Sequence, residues 1–213
     1  MHTFPKLQRV HLGNKRWYIT PEGKKYPSMT TILDDQPKPW LNKWRKKIGE
    51  AEARQITKDA ADRGTGVHKI IEDYLHNRED YTKGHCPYYV KSFNQIKPFV
   101  NRINNIVGIE MGLFSNELKV AGTLDCVAEY EGTLSVIDFK GSLKKKTKSQ
   151  VTDYFIQCTG YSLLFEERCN RAIDNLVIIM CVDETSIPVV FQEKADKYLD
   201  KLVNRVVQYH RKR

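Results

Sequence analysis

Apolar residues recur along this chain with two different periods. Val67, Ile70, Ile71, Tyr74 and Leu75 fall at i, i+3, i+4, i+7 and i+8, the stripe of an amphipathic helix. Upstream, Leu41, Trp44, Ile48 and Ala51 share a face, with Arg45, Lys46, Lys47, Arg54 and Lys58 opposite. That pattern predicts a helix from about Trp40 to Asp62, with Gly64-Thr65-Gly66 interrupting before the next. A third helix is predicted from about Pro87 to Ile106. The period then shortens to two, and strands are predicted from about Ile109 to Lys140, with turns at Gly122 and Glu131-Gly132. Residues 151–168 return to helix. Leu176 to Val182 is a continuous apolar run, as in a strand buried on both faces. Ile187 to Phe191 fits as its hairpin partner. Near the N-terminus, Trp17-Tyr18-Ile19-Thr20 alternates like a short strand and Pro21-Glu22-Gly23 follows as a turn. Ser28 or Thr30 is placed to cap a short helix through Leu33, before Pro37 and Pro39 break the chain. The last twenty residues read as a basic, exposed helix. Together these elements predict a mixed α/β fold.

Composition narrows the picture. The chain has 213 residues, 40% hydrophobic and 29% charged, enough to bury a core without metal or disulfide staples. No apolar run approaches the roughly 18–20 residues that a membrane span needs. The Met1–Pro5 segment lacks the apolar core of a signal peptide. Five cysteines, with no CxxC, offer neither a disulfide framework nor metal-ligand spacing, and suit a reducing cytoplasm. They are too scattered for an iron–sulfur cluster. The net charge of +9 makes an acidic partner plausible, with nucleic acid ahead of membrane. No phosphate-binding loop of the ATPases is present, so a helicase would be a separate chain.

The most informative stretch is Val120 to Lys140. If Glu131-Gly132 forms the whole turn, Tyr130 faces Thr133 and Asp125 faces Asp138, with Cβ atoms about 4.5–5.5 Å apart. Lys140 then projects from the same face as Asp138. A longer, bulged turn would move this register by one. Opposed carboxylates among Leu124, Cys126, Val127, Val136, Ile137 and Phe139 repel each other unless neutralised. Lys140 supplies one positive charge, and a divalent cation suited to carboxylate oxygens, Mg²⁺ or Mn²⁺, would supply the rest. An ordinary hairpin with a cross-strand Asp–Lys pair at its exposed end is the alternative.

Gly122-Thr-Leu-Asp125 followed by Ile137-Asp138-Phe-Lys140 resembles the PD-(D/E)xK nuclease signature, with Ile137 in place of its proline. Tyr26-Pro-Ser-Met-Thr-Thr-Ile-Leu33, Arg63-Gly-Thr-Gly-Val-His68, Ala121 to Tyr130 and Val136 to Ser142 run in the order seen in RecB-like exonucleases. Within that group they are most similar to the mitochondrial genome maintenance exonucleases and their phage relatives. The resemblance implies a restriction-endonuclease-like central mixed sheet flanked by helices, with an N-terminal helical part. It implies one domain over 1–213: an arch-like helical part at 37–106, a catalytic sheet at 109–191 and a basic C-terminal helix at 192–213.

It also implies roles. Asp125 and Asp138 would be metal ligands, and Lys140 would orient the attacking water and stabilise the transition state. His68 matches the histidine of a Gly-x-x-x-His motif and would be a further ligand, the alternative being a surface histidine paired with Glu72. Glu117 would line the site through metal or water. Gln157 and Tyr161 match a Gln-x-x-x-Tyr motif and would contact the phosphate backbone or the lysine, the alternative being a helix that packs Phe155, Leu163 and Leu164 and carries them incidentally. Lys144, Lys145, Lys146 and Lys148, just after the motif strand, would bind incoming phosphates, or else be a solvated loop. Trp40, Trp44, Tyr88 and Tyr89 would either stack on unpaired bases or pack in the core. The expected activity is a Mg²⁺- or Mn²⁺-dependent exonuclease on single-stranded DNA ends or flaps. The expected setting is the cytoplasm of a bacterium or phage-infected cell, in replication or recombination, with a separate helicase or single-strand-binding protein as partner. An endonuclease of the same fold and a non-catalytic DNA-binding accessory protein are the alternatives.

Overall fold

A computed structural model describes residues 4, 6–13 and 15–213. The reading of Met1–Pro5 therefore falls almost wholly outside the described residues. Two sheets form. A small antiparallel sheet holds β1 (Gln8–Leu12), β2 (Lys15–Ile19) and β3 (Lys25–Pro27). The main sheet holds β4 (Ile103–Ser115), β5 (Val120–Tyr130), β6 (Thr133–Ser142), β7 (Asn175–Val182) and β8 (Val189–Lys194), in chain order across the sheet. β6 and β7 are parallel and every other pair is antiparallel, so the sheet is mixed as expected. The helices are α1 (Met29–Asp34), α2 (Pro39–Ile48), α3 (Glu50–Leu75), α4 (Pro87–Val100), α5 (Thr152–Cys169) and α6 (Asp196–Arg211).

A parallel pair needs a crossover, and α5 supplies it between β6 and β7. The sheet is buried on both faces by two apolar clusters. On one side Leu124, Val127, Val136 and Ile178 pack with Phe155, Leu164, Leu202 and Tyr209 from α5 and α6. On the other, Cys126, Ala128, Ile137 and Ile179 pack with Val67, Ile70, Ile71, Phe93 and Ile96 from α3 and α4. Each aliphatic side chain so buried contributes about 1.5–3 kcal/mol. A third cluster, Leu7, Tyr18, Tyr26, Phe114 and Ala121, seats the small sheet on β4 and β5. Ser28 caps α1, its hydroxyl accepting from the Thr31 amide.

Several expected boundaries move. The helical break lies at Gly49, with φ +91°, and α3 runs unbroken through Gly64-Thr65-Gly66. Glycine at 66 answers to packing: a Cβ there would lie 2.2 Å from a ring carbon of Tyr89 on α4. The third helix stops at Val100 and β4 begins at Ile103, six residues before the expected strand start, because Ile103 and Asn104 already pair with β5 and the ladder resumes at Gly108 after an irregularity. The small three-stranded sheet replaces a lone N-terminal strand. The C-terminal helix is not simply exposed: Tyr198, Leu202, Val206 and Tyr209 are buried against α5 and the sheet. The two-residue turn at Glu131-Gly132 is present, with φ of +50° and +81°, and sets Tyr130 opposite Thr133 and Cys126 opposite Ile137.

The Gly66–Tyr89 contact gives a test. Gly66→Ala gains about 1 kcal/mol of helix propensity but must displace α4, an overpacking cost of roughly 1–3 kcal/mol. A net loss of stability in urea is expected, reversed to a gain when Tyr89→Ala is added. Stabilisation by Gly66→Ala alone would contradict the contact.

Candidate active site

The site forms where β5 parts from β6. Their ladder ends at Cys126–Ile137, and the next pair would be Asp125–Asp138, the pair expected from the turn. Instead of completing that rung, Asp125 turns its carboxylate inward, and Oδ2 accepts from the Phe139 amide at 3.0 Å. On its other side, β4 is irregular at the same level. Glu110 has φ +48°, and the register passes from Ile109–Cys126 to Met111–Leu124 without pairing it. Ile109 and Cys126 pack on the α3 side, Met111 and Leu124 on the α5 side. Glu110 and Asp125 thus sit where both strands change faces, and their carboxylates are released from the normal alternation.

His68 enters from α3. Its Nε2 lies 2.9 Å from the Phe139 carbonyl, which accepts a hydrogen bond only if Nε2 carries the proton. That tautomer leaves the Nδ1 lone pair facing Asp125 Oδ2 at 3.6 Å and Glu110 Oε1 at 4.0 Å. Ligand atoms of His68, Glu110 and Asp125 lie within 4.8 Å of one another. An imidazole lone pair and two carboxylates facing each other fit a divalent cation, with the backbone carbonyl orienting the imidazole from behind. The alternative of a His68–Glu72 pair does not form: Lys69 takes Glu72, at 2.9 Å.

Asp138 and Lys140 lie just behind. Asp138 is 1% exposed, and the Lys140 ammonium is 2.8 Å from its Oδ1 and 2.6 Å from its Oδ2. The carboxylates are short of positive charge. Burial first, and then Asp125, push Glu110 up to about 7. Burial pushes Asp138 up to about 6, with Lys140 pulling the other way and Asp125 adding to the rise. Burial opposes the charge on Lys140, but Asp138 and Asp125 more than offset it and hold the ammonium above its ordinary value.

A cleft of about 440 Å³ exposes His68, Glu110, Asp125 and Lys140 together, and Gln157 and Tyr161 also line it. Gln157 Nε2 donates to the Tyr161 hydroxyl at 3.3 Å. Tyr161 reaches the cleft by packing on Gly122, where a Cβ would lie 2.6 Å from its ring. The glycine of one motif therefore makes room for the tyrosine of another.

Other expected residues lie elsewhere. Glu117 is exposed in the β4–β5 turn and borders a separate cleft against Val203, Val207 and His210 of α6. The polypeptide carries it past the sheet end, and Glu110, seven residues earlier, stands in the place expected for it. Asp138 lies outside the cluster of three: its Oδ1 accepts from Lys140, while its buried Oδ2, 2.6 Å from the same ammonium, has no hydrogen-bond partner among the described residues. Lys148 is ion-paired with the buried Glu193 of β8, which Lys197 also holds. Lys144 is exposed, 3.9 Å from Glu184, and Lys145 is exposed. Lys146 alone leads back to the site: it donates to the Tyr154 hydroxyl at 2.6 Å, and Lys140 lies 5.3 Å from that ring. Trp40 is exposed on α2, whereas Tyr89 packs on Gly66 and the Tyr88 hydroxyl accepts from Arg63 at 3.2 Å. All five cysteines are free thiols. Glu110 lies in a strand whose alternation hides it, so no local signal marks it. Among the described residues no helix is long and apolar enough to cross a membrane.

The charge balance gives a prediction. Because Glu110 and Asp138 bind protons more tightly in the native state than in the unfolded chain, their contribution to metal-free stability is present at low pH. It is lost as pH rises through about 6 to 7. A divalent ion held by Glu110 would displace its proton, so its stabilising effect should grow from pH 6 to pH 8. A difference of roughly 1 kcal/mol, about 2–4 °C in Tm, is expected between these pH values with Mg²⁺ or Mn²⁺ above its Kd. Glu110→Gln should flatten the dependence. Equal metal-induced shifts at both pH values, read by calorimetry, would contradict it.

No family model matches the chain. Similar curated proteins do exist. The mitochondrial genome maintenance exonuclease 1 of Mus musculus is 28% identical over 200 residues, 87% of this chain and 59% of its own length. That of Homo sapiens is 26% identical over 203 residues, 88% of this chain and 59% of its own length. The Xenopus tropicalis protein is 29% identical over 142 residues, 61% of this chain and 39% of its own. The chain thus spans less than two thirds of the length of these relatives. Among solved structures, a candidate exonuclease from Eubacterium rectale superposes with TM-score 0.46 at 16% identity, over 69% of this chain and 63% of that one. The similarity to the maintenance exonucleases covers most of this chain, and it supports assigning the chain to a nuclease family.

Proposed function

We propose that this chain is a divalent-metal-dependent exodeoxyribonuclease that hydrolyses phosphodiester bonds at single-stranded DNA ends or flaps. The observation that carries the reading is the convergence of His68, Glu110 and Asp125 with Lys140 in one open cleft. The first three would hold Mg²⁺ or Mn²⁺. A bound divalent ion supplies a more acidic water and polarises the phosphoryl oxygen. Lys140 presents its ammonium to the cleft, where negative charge develops on the phosphoryl group, and Asp138 fixes its direction and protonation. The Phe139 backbone ties the groups together, its amide holding Asp125 and its carbonyl holding His68. Gln157 and Tyr161 line the far side, where an amide and a hydroxyl suit phosphate oxygens.

Preference for strand ends rests on similarity to exonucleases and on α2 with the first half of α3. No residue of α2 is buried, and residues 54–62 of α3 are all exposed, so this pair of helices stands away from the core. It supports the reading of an arch that admits a strand end. We place the nuclease in one domain, working beside a separate helicase or single-strand-binding protein in phage or bacterial replication or recombination.

Digestion of end-labelled linear single-stranded DNA beside a closed single-stranded circle tests this, with Mg²⁺, Mn²⁺ or EDTA. Metal-dependent loss of the linear substrate alone is expected. Asp125→Asn and Glu110→Gln should each lower the rate by about 10²–10³-fold while the protein stays folded, since each weakens charge stabilisation at the reacting phosphate. Cutting of both substrates would mean an endonuclease. Binding without cutting under every metal would mean a DNA-binding accessory protein.

A further inference from the structure

The small sheet brings two arginines to the cleft that no motif predicts. In the β1–β2 hairpin Arg9 pairs with Tyr18 and His11 with Arg16, so all four side chains leave the same face. That face is a wall of the cleft: Arg9, Arg16 and Tyr18 line it together with His68, Asp125 and Lys140. The wall is anchored to the catalytic strand, because the buried Tyr18 meets Thr123 Oγ1 at 3.2 Å, two residues before Asp125. Among the described residues, neither Arg9 nor Arg16 has a side-chain hydrogen bond or ion pair. Arg63, Arg78, Arg102, Arg205 and Arg213 each hold a carboxylate.

Their positions along the surface are distinctive. The cleft is the middle member of three that adjoin. One neighbour, about 880 Å³, shares Arg9, Tyr18, Glu110 and Thr123 with it. The other, about 360 Å³, shares Arg16 and Thr30 and continues along His11 and Lys15, with Asp34 and Asp35 on its rim. A groove therefore passes through the candidate active site, with Arg9 at one junction and Arg16 at the other. The guanidinium fork matches two phosphate oxygens and is indifferent to base sequence. A groove of this kind suits a polyanionic chain lying past the cluster of acidic ligands, which itself repels phosphate without cations beside it.

We propose that Arg9 and Arg16 bind backbone phosphates of the DNA strand on either side of the bond to be cleaved, and so hold the strand across the site. This rests on the nuclease reading of the cleft. The hairpin is then a substrate-binding element, and the basic run at Lys144–Lys148 is secondary to it.

Equilibrium binding of a fluorescent single-stranded oligonucleotide, in EDTA and across about 50–300 mM salt, reads phosphate contacts without cleavage. Each contact to a single strand contributes about 0.7 to the slope of log affinity against log salt, so Arg9→Gln with Arg16→Gln should reduce it by about 1.4. Affinity at the lowest salt should fall roughly ten-fold or more, equally for different sequences. Arg9→Lys with Arg16→Lys keeps both charges and should retain the slope. With metal, the Gln pair should raise KM far more than it lowers kcat. Circular dichroism melts of both variants should match wild type, since neither side chain bonds within the protein. A folded Gln variant with unchanged affinity and slope, beside a wild type that cleaves DNA, would overturn the proposal and leave the nuclease reading intact. A Lys variant whose salt slope falls as far as that of the Gln variant would overturn it as well, since the slope follows the charges and both are kept. A wild type that neither binds nor cleaves DNA would overturn both.

Discussion

Two carboxylates and an imidazole lone pair held within 4.8 Å of one another oppose folding, since like charges and lone pairs repel most where water is scarce. Everything around His68, Glu110 and Asp125 serves to keep them together. Two core clusters, one on each face of the sheet, immobilise the strands, so the strain at the β5–β6 fork cannot relax by sliding the register. The Phe139 peptide is the pivot, donating to one ligand and accepting from another. The rise of Glu110 to about 7 comes first from its burial and then from the Asp125 carboxylate beside it.

Asp138 is held differently, by an ion pair with Lys140. A buried ion pair loses hydration on both sides and is a weak source of stability. Its value here is geometric. Ion-paired with Asp138 and hydrogen-bonded to its Oδ1, Lys140 has little freedom, and it lines the cleft. Removing either partner strands the other in an apolar wall that includes Cys158, whose thiol is pushed up by burial and by Asp138. A pair that contributes little to stability can still fix a direction.

The close approach of elements depends on small residues at a few points. Gly66 lets α4 lay Tyr89 against α3, and α3 then delivers His68. Gly122 lets Tyr161 of α5 reach the cleft. The small sheet is tied to β5 through Tyr18 and Thr123 and closes the cleft from its own side. Four separate pieces of chain thus meet at the fork, and each is positioned by packing rather than by the chemistry it carries.

Local pattern carried much of this. The period-two run, the two-residue turn and the alternation within it determined the register of β5 on β6, and with it the nearness of Asp125, Asp138 and Lys140. The continuous apolar run announced β7 because a central parallel strand is buried on both faces. The helical stripe around Val67 placed His68 off the apolar face. What tertiary structure alone decided is which side chains meet as candidate ligands. Glu110 is displayed by its own left-handed backbone in a strand, and Arg9 and Arg16 by a hairpin whose Tyr18 docks on Thr123, 105 residues away in the chain. The helix break lies at Gly49, whose φ of +91° ends α2, while Gly66 stays helical and makes room for Tyr89. Glu117 was placed at the site by its nearness in sequence to β5, and the turn carried it away. Periodicity and turn chemistry act between near neighbours and are written in the sequence. Which distant side chains share one cleft is settled by how the layers pack, and no short stretch of residues encodes that.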